Sequence, residues 1–107
     1  MDEDIQTQIE DLLANNRIVL FMKGTPEQPF CGYSARVVDV LDSLQVEYTA
    51  YNLLEDPQMR EAIKEFTQWP TIPLLFIDGE FIGGCDITLE LAESGELQDM
   101  LGLSTEE

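Results

Sequence analysis

The stretch LLFIDGEFIG, residues 74–83, constrains this chain more than any other. Two short apolar runs flank Asp78-Gly79, the dipeptide that best fits a two-residue hairpin turn, so the last two strands are expected to be antiparallel neighbours. Upstream, IVLFMK at residues 18–23 is short, apolar and rich in β-branched residues, as a buried strand requires. Residues 47–52 read as a second such strand. Between them Val37, Val38, Leu41 and Leu44 recur at spacings of three and four, giving a helix that starts directly after Cys31. A strand, a helix and a second strand in that order pair the two strands in parallel.

The remaining segments add helices. Ile5, Ile9, Leu12 and Leu13 fall at helical spacing and Asn15-Asn16 offers a stop, which predicts an amphipathic helix over residues 3–15. Asp56 followed by Pro57 is a helix opening, with Met59, Ile63 and Phe66 as the buried stripe and an end before WPTIP. Asp86 is placed to cap a further helix running to about Ala92, and ELQDML after Gly95 reads as a short last one. GTPEQPF, residues 24–30, carries a glycine and two prolines and is expected to be a loop. The order of helix, strand, helix, strand, helix, hairpin and helix predicts an α/β, thioredoxin-like fold with a central four-stranded mixed sheet flanked by helices.

At 107 residues the chain suits one domain, 1–107, with frayed ends expected at 1–4 and 104–107. No apolar run approaches the ~20 residues that cross a bilayer, and MDEDIQTQIEDLL is acidic where a targeting peptide would be basic, so a cytoplasmic protein is expected. Twenty-two acids against five bases give a formal charge of -17, whose field repels nucleic acid and anionic membranes, so neither is expected as a partner. The acids run along the whole chain as a solvated surface would, and a salt-rich cytosol is one cause of such a surface. Histidine is absent, which removes Ser-His and Cys-His catalysis and the commonest metal-binding side chain. Cys31 and Cys85 are too few for a disulfide framework and lack the paired spacing of a zinc site.

The chemistry therefore centres on KGTPEQPFCGYS, residues 23–34. A cysteine just ahead of a helix faces unpaired backbone N–H groups and the positive end of the helix dipole, and both favour the thiolate. Lys23 adds a positive charge at the end of the preceding strand. The plainer role for Cys31 is that of a small buried hydrophobe, but a loop rich in glycine and proline between strand and helix argues for reactivity. Ser34 stands where a two-cysteine redox motif has its second thiol, so a mixed disulfide on Cys31 would lack a neighbouring thiolate to resolve it.

Three of the five bases, Lys23, Arg60 and Lys64, flank one part of this expected fold, with Arg60 and Lys64 on one helix face. They suit an anionic ligand carrying a carboxylate, and equally suit ordinary pairing with Asp56, Glu61 or Glu65. In WPTIP, Pro73 precedes a strand; a cis Ile72-Pro73 bond would leave the Ile72 backbone free to pair with an extended ligand. GGCD, residues 83–86, joins two glycines to a helix start, which is able to hold a carboxylate or simply to make a tight turn.

MKGTPEQPFCGYS, WPTIP and GGCD, in this order and spacing, resemble the monothiol glutaredoxins, a single-domain class whose site usually reads CGFS, and the likeness runs from about Ile5 to Leu103. The resemblance implies a glutathione site. Cys31 would face the glutathione thiol, Lys23, Arg60 and Lys64 its glycine carboxylate, Thr71 and Ile72 its backbone, and Cys85 and Asp86 its γ-glutamyl end. It further implies a homodimer around a [2Fe-2S] cluster, ligated by Cys31 of each subunit and two glutathione thiols, which passes the cluster to iron-sulfur acceptor proteins. A BolA-like protein, able to supply a histidine ligand, is an expected partner. Four thiolates commonly hold such a cluster, and one cysteine plus one glutathione per subunit supplies them; Cys31 and Cys85 from two chains would be a rival set. Alternative functions are a glutathione-dependent oxidoreductase that removes glutathione from protein thiols through Cys31, and a redox sensor with a Cys31–Cys85 disulfide. Tyr33 in place of Phe and Leu74 in place of a polar Gln depart from the family pattern and are expected to alter cluster lability more than function. The acidic excess is also atypical and would favour basic partner surfaces.

Overall fold

The central strand β1 (Ile18–Met22) is buried at every position. Its side chains alternate between two cores: Val19 and Phe21 point into one, Ile18, Leu20 and Met22 into the other. A strand covered on both faces needs apolar residues throughout, which explains why IVLFM reads as an unbroken run. The computed structural model describes residues 3–103. The ends expected to fray lie mostly outside those residues, and residues 3 and 4 belong to the first helix.

Four strands form the main sheet in the order β4, β1, β5, β6. β1 runs parallel to β4 (Thr49–Asn52) and antiparallel to β5 (Leu74–Ile77), which in turn pairs antiparallel with β6 (Glu80–Gly83). This is the expected thioredoxin-like mixed sheet. The hairpin turn has positive φ at both Asp78 and Gly79, 53° and 81°, as its two-residue length demands.

Helices cover both faces. α1 (Glu3–Asn15) and α3 (Pro57–Thr67) close one core, where Ile5, Ile9, Leu13, Met59 and Ile63 meet Phe21 and Phe76. α2 (Gly32–Ser43), α4 (Cys85–Ser94) and α5 (Glu96–Met100) cover the other, where Val37, Leu41 and Leu97 meet Leu20 and Leu75. Of the stripe read for α3, Phe66 is only half-buried, and Ala62 joins it in the core.

Three local expectations are corrected. Residues 24–29 are not plain loop: β2 (Gly24–Thr25) and β3 (Gln28–Pro29) form a small antiparallel ribbon, closed by the Thr25 hydroxyl accepting from the Gln28 N–H at 3.1 Å. Asp86 does not cap α4. Gly84 takes that place with extended backbone, so Asp86 falls inside the first turn, and the helix runs on to Ser94 before Gly95 turns the chain at φ 87°. β4 begins at Thr49, two residues later than the sequence pattern suggests, and passes through a short 3-10 turn, Leu53–Glu55, into α3.

Asp56 joins that turn to α3 through both carboxylate oxygens. Oδ1 accepts from the Met59 N–H at 3.1 Å as the helix cap, and Oδ2 accepts from the Tyr51 hydroxyl at 2.7 Å. Asp56→Ala is expected to lower unfolding stability by about 1–2 kcal/mol. Urea denaturation would measure it, and an unchanged midpoint would show that neither bond contributes.

Candidate functional site

β1 and β4 are parallel, so both release the chain at the same edge of the sheet, and a crevice opens there between the segments that follow them. Asn52, the last residue of β4, ties the two exits together. Its Oδ1 accepts from the Gly24 N–H at 2.9 Å and from the Leu54 N–H at 3.0 Å. On the β1 side the ribbon returns the chain until the Phe30 N–H meets the Lys23 carbonyl at 3.0 Å, which brings Cys31 back beside Lys23.

Cys31 is the N-cap residue of α2, in extended conformation, and its carbonyl accepts the helix's first bond from the Ala35 N–H at 2.9 Å. The thiol is half-exposed. Burial pushes its pKa up, but the Ser34 and Tyr33 N–H groups, the Lys23 ammonium and the Ser34 hydroxyl together pull it further down, so the pKa lies below that of an ordinary cysteine. Ser34 is therefore more than a missing thiol. Its fully buried hydroxyl accepts from the Lys23 N–H at 3.2 Å and helps hold Cys31 as thiolate.

Every site residue singled out from the sequence lines one cleft of about 530 Å³: Lys23, Cys31, Arg60, Lys64, Thr71, Ile72, Cys85 and Asp86. Tyr33, Trp69, Pro73 and Gly84 complete much of its wall. The Ile72-Pro73 peptide is cis. Cys85, the first residue of α4, is 7 % exposed, and burial and the Asp86 carboxylate push its pKa up, against the pull of Arg36. The two cysteines thus differ in kind: one is a poised thiolate, the other a buried thiol.

The ordinary-pairing reading of the basic residues holds for Lys64. Lys64 pairs with Glu61 at 3.5 Å, yet it borders the cleft. Arg60 has a buried Nε that makes no hydrogen bond, an orphan donor of the kind an anionic ligand satisfies. Arg36, which sequence reasoning left aside, sits 6.0 Å above the Tyr33 ring and is felt electrostatically by Cys85. Four of the five cations therefore gather near the cleft, while Arg17 pairs with Asp78 at 3.2 Å elsewhere. No sequence spacing marks Arg36, Asn52 or Trp69, because their places depend on contacts between distant segments.

The arrangement suits a small, extended anionic ligand lying across the Cys31 thiol. Metal binding within one chain has less support: among the described residues no group of three or more Cys, Asp or Glu is arranged to hold an ion. One chain offers the single poised thiolate of Cys31.

Residues 18–82 match the glutaredoxin family model. The mitochondrial monothiol glutaredoxin-5 of Saccharomyces cerevisiae is 50% identical over 104 residues, 94% of this chain and 69% of that protein. A probable monothiol glutaredoxin 2 of Rickettsia felis is 52% identical over 93 residues, 87% of this chain and 89% of its own. Among solved structures, reduced apo GrxS14 of poplar superposes with a TM-score of 0.81 at 46% identity, covering 92% of this chain and 90% of that one. A buckwheat glutaredoxin-glutathione complex also reaches a TM-score of 0.81, at 30% identity, covering 95% and 94% of the two chains.

The lowered pKa of Cys31 sets an expected order of alkylation. Cys31 should react with iodoacetamide first, with a rate midpoint at lower pH than free cysteine, and Cys85 later and at higher pH. Ser34→Ala removes the weakest of the four contacts that favour the thiolate, so the Cys31 midpoint should move up slightly and its rate near neutral pH should fall by no more than about threefold. Peptide mass mapping across pH would measure both, and a Cys31 midpoint at or above that of free cysteine would contradict the electrostatics of the site.

Proposed function

The chain belongs to the glutaredoxin family, in its monothiol class, and on that premise we propose that it binds glutathione in the Cys31 cleft and, as a pair of chains, carries a [2Fe-2S] cluster to acceptor proteins. The observation that carries this reading is the combination at Cys31: a half-exposed, thiolate-favouring cysteine whose motif partner is a buried serine. Without a resolving thiol the site is poor at rapid dithiol turnover, whereas a lone thiolate at the mouth of a cleft is an open ligand.

The residues fit glutathione. Arg60 brings its unpaired buried donor, Lys23 and Lys64 add charge, and Cys85 and Asp86, at the start of α4, line the same cleft. The glycine carboxylate would lie toward Lys23, Arg60 and Lys64, the ligand backbone along Thr71 and Ile72, and the γ-glutamyl end at Cys85 and Asp86. Cargo binding then needs a second chain, since a cluster commonly takes four thiolates and one chain with one glutathione supplies two. Cys85 is only 7 % exposed and would have to leave its packed place to reach a cluster shared between chains, which favours the glutathione set over the rival Cys31 and Cys85 set. With no histidine of its own, the chain would take an imidazole ligand only from a partner such as a BolA-like protein.

A second reading has its own observation. The lowered pKa of Cys31 also suits a nucleophile that takes glutathione from a protein mixed disulfide, releasing the protein as thiolate, after which a second glutathione frees Cys31 as oxidised glutathione leaves.

Anaerobic reconstitution with iron, sulfide and a thiol reductant, followed by visible spectrum and mass in solution, separates the two. A coloured dimer is expected only when glutathione is present, absent in Cys31→Ser and retained in Cys85→Ser. A colourless monomer under every condition would overturn the carrier reading in favour of the oxidoreductase, and loss of colour in Cys85→Ser would favour the rival ligand set.

A further inference from the structure

Lys23 stands one residue past the end of β1, outside the pairing of the main sheet, and it lines the cleft. Its backbone is held on three sides. The Lys23 N–H donates to the Ser34 hydroxyl at 3.2 Å, its carbonyl accepts from the Phe30 N–H at 3.0 Å, and the next N–H, of Gly24, donates to Asn52 Oδ1 at 2.9 Å. The first two bonds lead only to the Cys31 side of the cleft. The third crosses to β4, one contact beyond Met22 and Asn52, the last residues that the two strands pair.

Asn52 Oδ1 accepts a second bond, from the Leu54 N–H at 3.0 Å, and so caps the turn Leu53–Glu55. That turn delivers Asp56, whose carboxylate caps α3 and whose carbonyl accepts from the Arg60 N–H at 3.0 Å. One oxygen atom therefore joins the wall that carries Lys23 to the wall that carries Arg60 and Lys64. Both of its partners are N–H donors, so only the oxygen end of the amide suits the position. The Lys23 side needs such an anchor, because β2 and β3 have two residues each and a ribbon that short does not hold its own place. Asn52 is not among the residues that line the cleft, so whatever it does for a ligand it does through the backbone.

We propose that Asn52 is a positioning residue for the anion site: through one side-chain oxygen it sets the span between Lys23 and the Arg60 and Lys64 face, so that both sides hold the carboxylate of one small ligand. This rests on the glutathione reading above. The capping bond to Leu54 is local, whereas the bond to Gly24 is the bridge, and the two are separable by substitution.

The test titrates S-methylglutathione, which cannot form a disulfide, and its C-terminal amide, which lacks the glycine carboxylate, into four proteins by calorimetry. The proteins are the parent chain, Asn52→Ala, Asn52→Ser and Thr49→Val, with thermal unfolding to verify that each is folded. Serine caps a helical turn about as well as asparagine, so Asn52→Ser keeps the Leu54 bond, while its shorter side chain releases Gly24. Thr49→Val removes the 2.9 Å bond from the Thr49 hydroxyl to Asn16 Oδ1 at the other end of β4 and serves as the purely structural control. The parent chain should prefer S-methylglutathione to its amide. In Asn52→Ala and Asn52→Ser alike, S-methylglutathione should bind about three- to tenfold more weakly, the scale of one net hydrogen bond, with the amide little changed, so that the preference shrinks. Thr49→Val should keep the full preference. A preference left intact in both Asn52 variants, even with both ligands equally weakened, would overturn the positioning role, as would parent-like binding by Asn52→Ser. Absence of binding or of any preference in the parent chain would sink the glutathione reading itself, and the role of Asn52 with it.

Discussion

The structure depends on the burial of β1 between two cores. Phe21 and Val19 pack under α1 and α3, Leu20 and Met22 under α2 and α4, and the strand is bonded on both sides by β4 and β5. No residue of it can turn without exposing apolar surface to water on one face and filling space on the other. That fixed strand ends at Met22, so Lys23 emerges at a set point, and everything at the site is measured from there. The parallel partner β4 ends beside it and sends the chain to α3, which is why Arg60 and Lys64 face the loop that carries Cys31.

Electrostatics work on two scales here. The whole chain is a polyanion of formal charge -17, while four of its five cations lie near one cleft. Beyond about 10 Å the acidic field is screened at ordinary salt, so the near cations decide what binds and the distant acids decide what approaches. A small anion such as glutathione meets an unfavourable long-range field and a favourable short-range one. Any such anion is therefore held by directed contacts, and the Arg60 Nε is a buried donor that no protein group satisfies.

The two cysteines show how backbone context sets chemistry. Each lies at a helix start, Cys31 as the N-cap of α2 and Cys85 as the first residue of α4, so the helix dipole alone does not separate them. What separates them is the rest of the surroundings. Cys31 receives the Ser34 and Tyr33 backbone N–H groups, with Lys23 and the Ser34 hydroxyl adding to them; Cys85 is buried next to the Asp86 carboxylate. The serine in the motif leaves no resolving thiol and at the same time supplies a thiolate donor, so the site is poorly built for rapid dithiol exchange.

The sequence by itself determined the order of elements, the hairpin at Asp78-Gly79, the start of α2 directly after Cys31 and the candidate residues, because apolar periodicity, turn chemistry and charge are local and legible. It misplaced the cap of α4, since the choice between Gly84 and Asp86 depends on how closely the chain passes Trp69 and Pro73. It read residues 24–30 as a loop throughout, since a two-residue ribbon leaves no periodicity to detect. Only the tertiary structure decided that Arg60 would be left with an unmatched donor, that Asn52 would bridge the two strand exits, and that Trp69 would pack its indole nitrogen against Gly84. Each of these is an angle or distance between segments far apart in the chain, set by packing on both faces of β1, and no local pattern encodes such a quantity.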